Sequence, residues 1–238
     1  MTPSSEKFLL DVRQAVRLAR QPAVAIDSDL LDGDRLTDTF QRALLWLTPK
    51  CVEHYVPDDF ADLPKDIREE LDRAVAEFRE AAAAVSPDEP ATTKQGERGI
   101  EAFRWLVHSV RHAVVPEWRE AAERVVQEAE TWSAEWEWRT RRDTKEIRET
   151  LLGRYELPQL LVYAEQDLYV ISPIARFLPG AKGAFDIAIQ PSFSITSLYR
   201  DFDDRWYLHL GPGPSEGHRE PWTRESFKAS VEELKAAL

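Results

Sequence analysis

The spacing of apolar residues changes once along this chain, and that change limits the folds open to it. Up to about residue 150, apolar side chains recur every three or four positions, the period of an amphipathic helix. Beyond Gly153 they fall into short runs rich in β-branched and aromatic residues, bounded by Gly, Pro and Asp, which is the signature of strands. Folding this sequence therefore means burying helical stripes first and a small sheet second.

The stripes predict five helices. Phe8, Val12, Val16 and Ala19 mark the first, stopped by Pro22, and Leu36, Phe40, Leu44 and Leu47 mark the second, capped by Asp34. Ile67, Leu71, Ala74, Phe78, Ala82 and Val85 define the third, with Asp62 as cap and Pro64 in its first turn. Ser86-Pro87 ends it, because the residue before a proline disfavours the helical region. Residues 87–99 have the composition of a linker or exposed loop. A fourth helix over 97–114 carries Ile100, Phe103, Leu106, Val107 and Val110, and a fifth starts at Pro116. Its stripe of Trp118, Ala122, Val125, Ala129, Trp132 and Trp136 is heptad-like, a geometry open to self-association as well as to internal packing.

After the switch, strands are predicted over 159–164, 168–174, 184–189, 194–199 and 206–210, with Pro173 and Pro191 at ends, bulges or edges. Thr223 caps a closing helix with Phe227, Val231 and Leu234 on one face, suited to covering the sheet. The expected class is α+β: an N-terminal helical, bundle-like region over 1–152 with an internal break at 87–99, then a small antiparallel meander of four or five strands and a C-terminal helix packed on it over 153–238.

Charge narrows the partners. A net charge of −12 opposes approach to phosphate backbones and argues against a general nucleic-acid binder. The lone Cys51 rules out an internal disulfide and points to a reducing, cytoplasmic setting. No signal-like segment or apolar run of membrane-spanning length is apparent, so no membrane partner is expected.

Each residue group with chemical potential has a plainer structural explanation. His108 and His112 share a helix face at i and i+4, and with His54 could hold zinc, but Arg111 stands between them and would repel a cation. Asp201, Asp203 and Asp204 lack the glycine and terminal glutamate of a calcium loop and read as a polar turn. The loop at 211–221 has prolines where a phosphate cradle needs backbone donors. Cys51 lies three residues before His54, yet a lone cysteine near a helix end reads as a small buried residue. Arg176 follows an apolar strand and is expected to point to solvent at an edge; facing inward, it would need Asp186 or Asp204.

The segment Trp132–Arg142 joins tryptophans to arginines, the residue types that dominate interface hot spots. Trp132 and Trp136 fit the helical stripe, which leaves Trp138, Arg139, Arg141, Arg142 and Arg148 as the candidate partner-binding group. Together these features predict a non-catalytic intracellular protein of accessory, adaptor or immunity type, acting on another protein and needing no cofactor. A hydrolase, metal-dependent through the histidines or using His209 as base, with its site where helices meet sheet, is the alternative.

Overall fold

The first, third and last helical stripes form helices as expected in the computed structural model, which describes residues 2–20, 52–84, 93–192, 194–210 and 218–237. Helix α1 (Pro3–Arg20) buries Phe8, Leu9, Val12 and Val16. A short 3-10 helix spans Pro57–Phe60, and α2 (Lys65–Ala83) buries Leu71, Ala74 and Phe78. The stripe at Leu36–Leu47, Cys51, and residues 87–92 and 211–217 lie outside the described residues, while 93–99 of the expected linker are helical instead. No described helix is long and apolar enough to cross a membrane.

One correction concerns the fourth and fifth helices. They are a single helix, α3 (Thr93–Glu135), with Pro116 in its interior. An interior proline loses its N–H hydrogen bond and crowds the carbonyl four residues back, a cost of about 3 kcal/mol that the buried side chains on both sides of Pro116 must offset. The chain divides into two compact units: Met1–Val115 with Glu149–Gly153, and Pro116–Arg148 with Arg154–Leu238. In the first, Phe8 packs against Tyr55 and Phe60 with ring centroids 5.3 and 6.1 Å apart, and Tyr55 donates a 2.7 Å hydrogen bond to Asp72.

The second unit holds a seven-stranded antiparallel meander in the order β1-β2-β3-β4-β5-β6-β7. The strands are β1 (Arg139–Glu149), β2 (Gly153–Ala164), β3 (Asp167–Ala175), β4 (Gly183–Gln190), β5 (Ile195–Arg200), β6 (Trp206–Leu210) and β7 (His218–Pro221). The fold is thus α+β, with a C-terminal helix α4 (Arg224–Ala236) begun by a reciprocal Thr223–Ser226 capping box. Two strands exceed the expected set, and both are edges. β1 reads RTRRDTKEIRE and buries only Ile147, so it carries no apolar period, while its charges suit an exposed edge. Helix therefore gives way to sheet at Glu135–Arg139, not near Gly153.

Register sorts the strand residues into two faces. One face stacks buried rows, such as Leu160–Ile171–Ile187 and Phe185–Leu198–Leu208. Helix α3 covers it through Trp118, which lies 5.9 Å from Phe185 and 5.8 Å from Trp206. Helix α4 joins the same side, with Phe227 against Trp132, Trp136, Trp138 and Trp222. The stripe from Trp118 to Ala129 is consequently spent inside this unit, where Trp118, Ala122, Val125 and Ala129 are fully buried.

Candidate functional site

Strand geometry sends successive side chains to opposite faces, so the buried rows fix what the other face carries. Between them, the register places Ser172 opposite Asp186, Asp186 opposite Ser197, Ser197 opposite His209 and His209 opposite Arg219. Lys145 of β1 reaches the same row: its Nζ donates to Ser172 Oγ at 2.8 Å and to the Pro173 carbonyl at 2.9 Å. Ser197 donates to Asp186 Oδ1 at 2.9 Å. A continuous polar band thus crosses the sheet, and Lys145, Ser172, Asp186, Ser197 and His209 within it are all half-buried.

Burial shapes the electrostatics of the band. It pushes the Asp186 carboxyl above its ordinary range, against the opposing hydrogen bond from Ser197 and the charge of Lys145. The same cause pulls the Lys145 ammonium below its ordinary range, against the attraction of Asp186. Both members are driven toward their neutral forms, a pattern that recurs where proton transfer or ligand binding is organised. Because the folded-state pKa of Asp186 is raised, the stability it contributes is present below the unfolded value and lost as pH rises through the folded one. Asp186→Asn is accordingly expected to melt no lower than the parent at pH 7, with the difference shrinking as pH falls below the ordinary aspartate pKa. A variant that melts well below the parent at pH 7 would show that the ionised carboxylate is needed.

Apolar and aromatic groups flank the band. On β5, Ser197 lies between Ile195 and Tyr199, which are 54% and 39% exposed. With Phe202 in the following turn, three of the four exposed large apolar side chains among the described residues sit on this one strand or just after it. At the β5–β7 end, a cleft of about 280 Å³ opens between Tyr199, Tyr207, His209, Arg219 and the turn at Gly180. Arg219 lies 3.5 Å over the Tyr207 ring and is held by an ion pair with Asp201.

The residues singled out from sequence are distributed differently. Trp138 is half-buried, 4.8 Å from Trp136 and against Phe227, so it is no exposed anchor. Strand alternation then splits the arginines. Arg142 turns to the helix-covered side and pairs with Glu123 and Glu130 of α3. Arg139 stands on the band's side, 5.4 Å over the Tyr163 ring, while Arg141 and Arg148 are exposed along β1.

In the first unit, His108 and His112 pack ring against ring at 4.4 Å. Burial, with His112 and Arg111 adding repulsion, lowers the His108 pKa. His54 lies half-buried on a separate segment, and no group of three potential metal ligands occurs among the described residues. The three aspartates form a polar turn, as expected: Asp201 binds Arg219, Asp203 accepts from Tyr207, and Asp204 binds Lys182 and Arg200.

Arg176 departs from expectation most. It is fully buried, donating to the Lys182 carbonyl at 2.7 Å and pairing with Glu117 at 3.4 Å, neither of which is Asp186 or Asp204. Glu117 also pairs with the buried Arg200. Arg176 turns inward because the β3 bulge between Pro173 and Ala175 shifts the alternation just before it. The polar band itself went unread because Ser172, Asp186 and Ser197 lie on three strands, and only the register aligns them. Set beside known proteins, the chain matches no family model, no curated protein and no solved structure, so its site is read from its own residues alone.

Proposed function

We propose that this chain is a binding protein, of accessory, adaptor or immunity type, that takes a partner protein on the band-bearing face of its sheet. The observation that carries the reading is the flanking of a hydrogen-bonding band by exposed Ile195 and Tyr199, with Tyr207 and Arg219 beside them. Tyrosine and arginine are enriched where interfaces concentrate their energy, and contiguous exposed apolar groups mark contact sites. Charge defines the partner. Arg139 and Arg219 present guanidiniums on this face, while burial drives Lys145 and Asp186 alike toward their neutral forms. Its complement is a protein presenting an apolar side chain flanked by carboxylates. The lone Cys51 supports a reducing compartment such as the cytoplasm.

Photo-crosslinking in the native cell tests this. A photoreactive residue at Ile195 or Tyr199 is expected to capture one and the same polypeptide, whereas Glu232 on the exposed side of α4 captures none of it. Capture of a second copy of this chain, or equal capture from all three positions, would overturn the proposal.

A further inference from the structure

The pair at the β1 end of the band has a chemistry of its own, and we propose that Lys145 is a carbonyl-reactive amine whose acid partner is Asp186, so that this face captures a small aldehyde or ketone as an imine. The inference goes beyond partner docking and does not depend on it.

Lys145 Nζ gives hydrogen bonds to two acceptors on β3, Ser172 Oγ and the Pro173 carbonyl. A neutral amine has two hydrogens and one lone pair. With both hydrogens held by β3, the lone pair points away from that strand. Asp186 lies directly opposite Ser172 on β4, and side chains so placed are about 5 Å apart at Cβ. Its carboxyl is therefore beside any group that adds to Nζ, while Ser197 holds its Oδ1 from the far side. Half-burial favours the neutral amine and the protonated acid together, the two forms that imine formation uses.

The steps balance without a further reactant. The Nζ lone pair attacks the carbonyl carbon, the C–N bond forms, and the oxygen receives the proton that Nζ gives up. The Asp186 carboxyl then protonates the carbinolamine hydroxyl, the C–O bond breaks, and water leaves. The resulting iminium faces the Asp186 carboxylate. Water addition reverses each step. Charged or titratable neighbours of Nζ come from β4, as Asp186; β3 contributes only the neutral Ser172 hydroxyl and Pro173 carbonyl.

The test is trapping with propanal and cyanoborohydride on the full chain, read residue by residue by mass spectrometry. Lys145 is expected to be alkylated faster than Lys65, whose side chain is 81% exposed, by on the order of 100-fold, the usual contribution of a positioned general acid. Asp186→Asn is expected to bring Lys145 to the Lys65 rate or below while leaving Lys65 itself unchanged. The first comparison needs no substitution, so it stands even where a variant folds poorly. A half-buried lysine that merely pins the sheet would be alkylated more slowly than Lys65. That result would overturn the proposal, and so would fast alkylation of Lys145 unaffected by Asp186→Asn.

Discussion

Trp118→Ala is expected to lower stability by about 3–5 kcal/mol, the usual cost of removing a fully buried tryptophan. Trp118 is 0% exposed and packs on Phe185 and Trp206. The backbone beneath it leaves no room for another side chain: a Cβ at Gly183 would lie 2.6 Å from the indole ring. Gly183→Ala should therefore also destabilise, by about 1–3 kcal/mol, since the indole must shift. The buried Trp118 Nε1 has no hydrogen-bond partner among the described residues, so Trp118→Phe removes a donor that none of them satisfies, along with some volume. It should consequently cost clearly less than alanine. Urea unfolding at constant m-value checks the series. A Trp118→Ala variant within about 1 kcal/mol of the parent would contradict the placement of this ring at the centre of the second core.

Glu117→Gln is expected to cost about 3 kcal/mol, the lower end for removing one partner of a buried ion pair, because the carboxylate is itself one-third exposed. Glu117 is the carboxylate between Arg176 and Arg200, whose side chains are 1% and 6% exposed. Asp204 continues the set by binding Arg200 and Lys182. Burial alone would raise the Asp204 carboxyl, but the hydrogen bond from Lys182 and the charges of Arg200 and Lys182 hold it below its ordinary range. Removing Glu117 leaves two desolvated guanidiniums competing for fewer anions. Combining it with Arg176→Met should then cost less than the sum of the single changes, because the methionine removes one stranded charge. Additive losses measured by chemical denaturation would show that Glu117 and Arg176 are not coupled.

How much of this was legible in the sequence depends on whether local spacing carried the information. The stripes Phe8–Val16, Leu71–Phe78 and Trp118–Ala129 lie buried as their periods require, because a helix face is written within a few residues. Five strands and the Thr223 cap were readable for the same reason. β1 was not, since an edge strand with charged side chains has no apolar alternation. Pro116 misled because proline opens helices more often than it sits inside them. Arg176 and the polar band escaped for a different reason. Glu117 is 59 residues from Arg176 in sequence, and Ser172, Asp186 and Ser197 become neighbours only when three strands take one register. Trp138 was chosen for falling off the helical stripe, but the helix ends before it, and the turn folds it back onto Phe227.

Docking on the band-bearing face is tested most directly by equilibrium binding between the purified chain and the polypeptide crosslinked from Tyr199. Tyr199→Ala should weaken binding by about 2 kcal/mol, roughly 30-fold in Kd, as the loss of an interface anchor does. Ile195→Asp should act in the same direction, and Glu232→Ala on α4 should leave Kd unchanged. If Tyr199→Ala and Ile195→Asp bind as tightly as the parent, the partner sits elsewhere and the proposed docking face is wrong.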